Sequence, residues 1–156
     1  MNIRLAAPDE AEEYWIVRNL AIRHGCAQSY ESSVIQAWTP EEMPESFRAV
    51  IIENPFFVIE GPDAKPVATG YLDLATGSVE AIFTSPDHIG KGLASQILEA
   101  IKWEARKQGF ARLTLSSTPN AQKFYEKHGF IFLQESCYSS RLAQADLRCM
   151  EMAIEL

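Results

Sequence analysis

The sequence is poor in the residues that build disulfide frameworks and metal sites. It has three cysteines (Cys26, Cys137 and Cys149), an odd number with no C-x-x-C spacing, and three histidines at no metal-ligand spacing. We therefore expect the cysteines to be small core residues and no metal to be bound. No uninterrupted apolar run approaches the roughly 18 residues of a membrane-spanning helix, and the first residues turn acidic without an apolar signal segment. These absences predict a cytoplasmic protein with no membrane partner.

Acidic residues exceed basic ones, and they are unevenly distributed. The formal net charge of −7 argues against a nucleic-acid partner. Residues 86–128 nevertheless carry seven Lys and Arg against four Asp and Glu, a net charge of +3, whereas residues 1–85 carry five against thirteen, a net charge of −8. Such a surface can serve solubility alone. The functional interpretation is an anion held by the basic segment and a cationic partner attracted to the acidic one.

Hydrophobic periodicity predicts an α/β protein with a single domain over residues 1–156. The predicted element order is β-α-α-β-β-β-α-β-α-β-β, a mixed central sheet with flanking helices. The second helical region is placed at 39–54, with Thr39 as its N-cap before Pro40. The strongest helix, 91–108, repeats apolar residues at three and four positions and ends at Gly109. It directly follows a strand predicted at 78–86.

The stretch DHIGKGLASQIL, residues 87–98, places two glycines and a lysine where this strand ends and the helix begins. The first turn of a helix leaves about four backbone N–H groups unpaired, and these groups bind phosphate. Glycine lets an anion approach the backbone, and the lysine adds positive charge. The alternative is a tight turn that needs φ > 0 and binds nothing. Two better-known phosphate loops do not fit, because no Ser or Thr follows the lysine and Ser95 stands where a third glycine is required.

Two motifs together resemble the GNAT (GCN5-related N-acetyltransferase) superfamily. Residues 89–94, IGKGLA, are similar to its acyl-CoA loop [QR]-x-x-G-x-[GA], with Ile89 in place of the usual Gln or Arg. Residues 120–130, NAQKFYEKHGF, are similar to its second signature, a helix with FYEKxGF that leads into a strand. The resemblance spans residues 78–132. It implies a GNAT fold with a splayed acyl-CoA slot, acetyl-CoA as co-substrate and N-acetyltransferase activity.

The resemblance also implies which residues bind acetyl-CoA. Strand 78–86 would splay from its neighbour and leave the backbone of Ile82, Phe83 and Thr84 free for the pantetheine arm, a form of β-augmentation. Ordinary strand pairing is the alternative. Asn120 aligns with a residue that contacts pantetheine or phosphate in relatives, although it can equally cap a helix. The diphosphate would be held by the loop amides of Ile89, Gly90, Lys91, Gly92, Leu93, Ala94 and Ser95.

Two side chains receive chemical roles by the same resemblance. Tyr125 aligns with the tyrosine that protonates the departing thiolate; packing beside other aromatic residues is its alternative role. An alkyl ammonium with a pKa of about 10 is almost fully protonated at pH 7, so transfer needs a base or a water relay. Glu80 is the candidate base, because strand alternation places it on one face with Ile82 and Thr84, and Phe83 on the other. A solvated or paired acid is the alternative, and Asp73 on the neighbouring strand is the substitute base.

The acceptor pocket is expected near the N-terminal helices, where Tyr30 and Trp38 either line it or belong to the core. The predicted reaction is acetyl transfer to a primary amine of a small molecule or peptide, by direct attack in a ternary complex. The acidic residues 1–85 predict a cationic acceptor. The alternatives are a non-catalytic acyl-CoA sensor and an acyltransferase that uses a longer acyl-CoA. The resemblance also allows a homodimer.

Overall fold

The computed structural model describes residues 2–156, which form a seven-stranded mixed sheet with helices on both faces. The strands lie in the order β1-β2-β3-β4-β5-β7-β6. They are β1 (Ile3–Leu5), β2 (Phe56–Glu60), β3 (Pro66–Asp73), β4 (Ser78–Thr84), β5 (Arg112–Ser117), β6 (Ile131–Ser140) and β7 (Ala145–Glu155). The helices are α1 (Ala11–Gly25), α2 (Ser32–Trp38), α3 (Glu45–Glu53), α4 (Leu93–Lys107) and α5 (Gln122–Lys127). The α/β fold class is as predicted.

The element order differs from the prediction by one short helix. The segment before Thr39 forms α2, and Thr39 lies at the C-terminal end of that helix, where its hydroxyl donates to Ile35 O at 2.8 Å. The N-cap role predicted for Thr39 is therefore wrong. The next helix begins only at Glu45, after Pro44. Proline disfavours helical geometry in the residue before it, so two prolines four positions apart delay the helix.

Two hydrophobic layers flank the sheet. On one face α4 buries Leu93, Ile97, Leu98, Ile101 and Ala105, whose spacing of three and four residues forms a single apolar stripe. On the other face α1 and α3 pack against β2 through Tyr14, Ile51 and Phe56. Cys26 and Cys149 are buried as predicted, but Cys137 is exposed on β6.

Within residues 2–156, no helix has the length and apolar character needed to cross a bilayer. The same range contains no group of three or more His, Cys, Asp or Glu side chains placed to bind a metal ion.

Candidate active site

The sheet opens between its two central parallel strands. β4 and β5 are paired only at Ser78 and Thr114, and they diverge beyond that point. The side of β4 that faces β5 therefore has no strand partner from Val79 onward. A cavity of about 460 Å³ occupies the gap, a volume suited to a small-molecule site. Its lining includes Arg18, Tyr30, Trp38, Phe47, Val50, Tyr71, Val79, Glu80, Ala81, Ile82, Phe83, Leu115, Ser116, Ser117, Thr118, Ala121, Tyr125, Tyr138, Leu147 and Cys149.

A β-bulge in β4 changes which side chains share a face. Ala81 has φ of 55°, and the register with β3 shifts around it. Glu80 pairs with Tyr71 and Phe83 pairs with Thr69, so Glu80 and Phe83 lie on the same face, towards α1.

The predicted alternation along β4 is therefore wrong. Ile82 packs against the core beneath α4, and Thr84 pairs with Ala68 of that core, so both lie on the opposite face from Glu80. The physical reason is that one extra residue at Ala81 reverses the period of two.

Glu80 lies on the cavity wall and its side chain is open to the cavity. Its Oε1 accepts a hydrogen bond from Ser78 Oγ at 2.9 Å. The surrounding walls displace bulk water, and this burial raises the pKa of Glu80 above its usual value. The Ser78 hydrogen bond lowers the pKa in part, and the charges of Asp73 and Glu151 raise it. Glu80 is thus a carboxylate with an increased proton affinity beside an open cavity.

Tyr125 faces the same cavity from α5. Only 8% of this residue is exposed. Burial raises the pKa of its phenol, and the nearby charge of Glu80 raises it further, so the group stays protonated well above neutral pH. Its ring also packs edge-to-face on Phe124 and Phe130, with centroids 5.1 and 5.8 Å away. Packing and access to the cavity therefore occur together at this residue.

Hydrogen bonds to α4 fix the position of the short helix α5. The buried Lys102 donates from Nζ to His128 O at 2.8 Å, at the C-terminal end of α5. Ser95 Oγ lies 2.9 Å from Nε2 of the same histidine. Since Tyr125 is one turn before His128, these contacts hold its ring against the core.

The glycine loop lies at the end of β4 and starts α4. Gly90 and Gly92 have φ of 84° and 76°, and a Cβ on either would meet no protein atom within 4 Å. The backbone conformation thus accounts for both glycines, and close approach of an anion stays a prediction. The N-cap Gly92 offers no side-chain cap, and Gln96 N–H donates to Gly92 O at 3.1 Å. The amides of Leu93, Ala94 and Ser95 precede that first helical bond and have no partner in the helix.

Neither Asn120 nor Asp73 belongs to the lining of the cavity. Asn120 is exposed beside the end of α1, where Ser29 Oγ donates to its Oδ1 at 3.4 Å. The starts of α5 and of the 3₁₀ turn before it have no side-chain cap, so no capping bond from Asn120 is present. Asp73 does not line the cavity. Its Oδ1 accepts the Ala75 amide at 2.9 Å in the β3–β4 turn, which does not support an acceptor-binding role.

The N-terminal helices close the other end of the cavity. Tyr30 and Trp38 line it and pack edge-to-face with centroids 5.8 Å apart. The Tyr30 hydroxyl donates to Arg148 O at 2.6 Å, which ties the α1–α2 loop to β7. Arg18 of α1 lies beside them, with its guanidinium 4.2 Å from the Trp15 ring centroid.

The splayed β4, the glycine loop and the helix after β5 all lie within a region that matches a known family model. Residues 26–156 match the model described as an acetyltransferase (GNAT) domain, which is most of the chain. The chain belongs to the GNAT acetyltransferase family. The resemblance inferred from the two motifs is confirmed, and the enzyme class is that of an N-acetyltransferase.

Curated relatives of this GNAT protein are themselves named only as uncharacterized acetyltransferases. One from Streptococcus pyogenes serotype M1 is 30% identical over 115 residues, which are 68% of this chain and 80% of the relative. YsnE of Bacillus subtilis is 38% identical over 68 residues, which are 40% of this chain and 45% of the relative. The alignment therefore spans less than half of the Bacillus protein.

Solved structures support the same fold at lower identity. A GCN5-related N-acetyltransferase from Rhodopseudomonas palustris superposes with a TM-score of 0.89 over 99% of this chain and 95% of its own, at 20% identity. The PaiA N-acetyltransferase of Thermoplasma acidophilum, solved with coenzyme A, gives 0.79 at 16% identity over 99% and 98% of the two chains. YncA of Salmonella typhimurium, a putative acetyltransferase solved with acetyl-CoA, gives 0.71 at 18% identity over 100% and 94%.

Several lining residues of this GNAT site carry no signal in the sequence. Arg18, Tyr71, Tyr138 and Cys149 reach the cavity from α1, β3, β6 and β7, and none of them belongs to either motif. Their placement follows from sheet order and helix packing, which bring distant segments together. The sequence predicted the β4-to-α5 part of the site and, outside it, only Tyr30 and Trp38 as possible pocket residues.

Proposed function

We propose that the protein transfers an acetyl group from acetyl-CoA to a primary amine by direct attack in a ternary complex. The observation that carries this proposal is the cavity between the diverging β4 and β5, which both Glu80 and Tyr125 line. The coenzyme A and acetyl-CoA bound to the Thermoplasma and Salmonella structures support the choice of co-substrate.

The cofactor path follows the unpaired edge of β4 to the glycine loop. The pantetheine arm would hydrogen-bond the free backbone of Ile82, Phe83 and Thr84, as an added strand does. The diphosphate would accept amides from Ile89 to Ser95, where the start of α4 contributes positive potential. Lys91 is exposed at this point and adds a cation. Asn120 stays a candidate contact for the arm.

The chemistry requires one base and one acid. Glu80 takes a proton from the bound ammonium, directly or through water, and the neutral amine attacks the thioester carbonyl to form a tetrahedral intermediate. When the C–S bond breaks, Tyr125 gives its proton to the departing thiolate of coenzyme A. The nitrogen, which still carries two protons, loses one of them, and this proton restores Tyr125 through solvent. Glu80 releases its own proton to solvent, and the products are an amide, which keeps one N–H, and the free thiol.

Cys149 lines the cavity, yet its chemistry favours direct transfer over an acyl-cysteine intermediate. Burial raises the pKa of Cys149 to about 11, and a hydrogen bond to Glu151 at 3.3 Å acts in the same direction. The thiol is therefore protonated at neutral pH and is a poor nucleophile. Incubation with acetyl-CoA and no amine is expected to leave the protein unacetylated by mass spectrometry.

The predicted cationic acceptor has limited support in the geometry. Five acids of residues 1–85 form ion pairs with Arg4, Arg23 and Arg48: Glu10, Glu12, Glu41, Glu45 and Glu60. Among the acids within residues 2–85, only Glu80 lines the cavity. The acceptor's overall charge, a homodimer and a single domain over 1–156 stay predictions.

The test compares two active-site variants with a matched surface variant. Release of coenzyme A thiol is measured with a panel of amines for wild type, Tyr125→Phe, Glu80→Gln and Glu135→Gln. We expect kcat to fall about 100-fold or more for the first two, as is typical when a general acid or base is lost. Glu135 is half exposed and paired with Arg148, so its variant should match wild type.

Titration calorimetry with acyl-CoAs separates the alternatives. Tight binding of acetyl-CoA with no turnover for any amine would favour a non-catalytic acyl-CoA sensor. Faster turnover of longer acyl-CoAs in the thiol-release assay would favour an acyltransferase that uses a longer acyl-CoA. Unchanged kcat in both active-site variants would contradict the assigned roles.

A further inference from the structure

Arg18 is a cation in the cavity without an anionic partner. It lines the same cavity as Glu80 and Tyr125, at the end formed by the N-terminal helices. Among the described residues, no carboxylate lies within ion-pair distance of its guanidinium, although Arg4, Arg23 and Arg48 each pair with at least one acid. A cation that is partly removed from water normally has such a partner.

One edge of the Arg18 guanidinium is used and the other is free. Both of its hydrogen bonds come from Nη1, to Asn19 Oδ1 at 2.7 Å and to Trp38 O at 3.0 Å. Within residues 2–156, neither Nε nor Nη2 has a hydrogen-bond acceptor, and neither is sealed from solvent. These two N–H groups form the planar fork that binds both oxygens of one carboxylate.

The fork is held in place before any ligand arrives. The guanidinium lies over the Trp15 ring, and Trp38 flanks it with a centroid 5.9 Å away. Trp15 is itself fixed by a hydrogen bond from Nε1 to Pro40 O at 2.8 Å. Burial lowers the pKa of Arg18 to about 10, which leaves it charged at neutral pH. A fixed fork loses little conformational entropy on binding a carboxylate.

We infer that the acceptor is an amino carboxylic acid, whose carboxylate binds the Nε–Nη2 edge of Arg18 while its amine faces Glu80. This inference rests on the proposed function and names its substrate class. The cavity presents one cation and one carboxylate as its fully charged groups, which complement the two charges of such a zwitterion. Phe47, Val50 and Trp38 line the cavity near these groups, so the acceptor's side chain is expected to be apolar.

The test uses matched acceptors that differ only at the carboxyl group. A panel of amino acids with apolar side chains, and longer ω-amino acids, is assayed beside the corresponding carboxamides by release of coenzyme A thiol. We expect kcat/KM of at least one acid to exceed that of its amide by about tenfold to a hundredfold, the usual effect of a charge-assisted pair. In Arg18→Gln this ratio should fall to near one, because kcat/KM of the amino acid decreases while that of its carboxamide does not. The KM for acetyl-CoA should be unchanged.

Two further variants keep the result interpretable. Arg23 lies on the same helix and donates to Thr39 O at 2.7 Å, but it pairs with Glu41 and does not line the cavity, so Arg23→Gln should keep the wild-type ratio. Arg18→Lys keeps the positive charge and removes the fork, so its ratio should be intermediate. Thermal melts of all variants report whether the fold is intact.

Two outcomes overturn the inference and leave the proposed function standing. One is equal or faster turnover of the amides by wild type, and the other is an unchanged acid-to-amide ratio in Arg18→Gln. Binding of acetyl-CoA with turnover of neither series also overturns it. Absence of acetyl-CoA binding would remove the proposed function as well, so the two failures are distinguishable.

Discussion

Glu80 combines access to a ligand with an environment that favours its protonated form. Its side chain is open to the cavity, while the walls and the charges of Asp73 and Glu151 raise its pKa. A carboxylate with an ordinary pKa holds a proton too weakly to take one from an ammonium group efficiently. A higher pKa of Glu80 reduces the difference between its pKa and that of the ammonium group. Glu80 still acts as a base as long as the working pH stays above its own pKa. The bulge at Ala81 then places Phe83 on the same face as Glu80 and turns Ile82 and Thr84 to the opposite face.

The decrease of kcat/KM at low pH should reflect protonation of Glu80. The base acts only when ionised, so kcat/KM is lost as the pH falls through the raised pKa of Glu80. Because the shift is upward, this loss should occur at a higher pH than for an ordinary glutamate. We expect Glu80→Gln to remove this decrease and to leave only the slope from ionisation of the free amine. The measurement is kcat/KM from pH 4.5 to 9.5 for both proteins, with circular dichroism at each pH.

The same experiment has an outcome that rejects the assignment. Superimposable pH profiles for wild type and Glu80→Gln would show that another group or solvent accepts the proton. Glu135→Gln serves as the control, since Glu135 is exposed and its pKa is lowered by the hydrogen bond from Arg148. Its profile should follow that of wild type.

Residue patterns predicted Tyr125 but could not predict Arg18. Tyr125 lies within a motif whose local sequence fixes a short helix and a following strand. Arg18 lies on the predicted helix α1, where an arginine is unremarkable by spacing. Its importance arises only when the helix places it beside Trp38 and the loop after α2, because that contact uses one edge of the guanidinium and leaves the other free. Such a property belongs to tertiary packing.

The glycine loop between β4 and α4 is the element on which the proposed binding of acetyl-CoA depends. Alanine at Gly92 would have to adopt φ of 76°, which costs an L-residue about 1–2 kcal/mol, although the space for its Cβ is free. Relief of this strain would rotate the amides at the start of α4. We expect Gly92→Ala to lower stability by about 1 kcal/mol and to weaken acetyl-CoA binding about tenfold or more.

Gly109 supplies a matched control for this prediction. It follows α4 at the far end of the helix, with φ of 92° and no protein atom within 4 Å of a built Cβ. Gly109→Ala should therefore lose similar stability in urea melts and keep the Kd for acetyl-CoA in titration calorimetry. Equal loss of affinity in both variants would show that strain alone, and not the loop amides, explains the effect.

The elements themselves were largely predictable, and the exceptions have physical causes. The apolar stripe of α4 has strong periodicity, and turn residues bound the apolar runs of β2 to β5, so the type and order of these elements followed from the sequence. Helix α2 has only seven residues and one fully buried side chain, Ile35, which is too little for a periodic signal. The bulge at Ala81 could not be predicted from the sequence, because alanine does not favour positive φ. Tertiary contacts, including Thr69 Oγ1 to Ala81 O at 3.0 Å, hold that conformation.

At the scale of the molecule, one sheet connects both ends of the described chain to the active site. β1 is at one edge and β7 lies next to the other, and the cavity opens at the β4–β5 junction between them. The junction has a single pair of partnered residues, so it is the weakest pairing in the sheet. The two halves are instead joined by α4, which packs on β3 and β4, and by the core that it shares with β5 and β7. A ligand that bridges β4 and β5 would therefore stabilise the whole domain.

Binding of acetyl-CoA should raise the melting temperature of the entire protein in one transition. A ligand at 100 times its Kd adds about 2.7 kcal/mol to the free energy of unfolding, which corresponds to about 5–10 °C for a chain of this length. The measurement is differential scanning calorimetry with and without acetyl-CoA, and pantetheine as the comparison. In the proposed binding mode pantetheine would occupy the β4–β5 gap, but it lacks the diphosphate, so its shift at equal concentration should be smaller. Two separate transitions would contradict a single domain over 1–156, and an unchanged melting temperature would contradict binding across the junction.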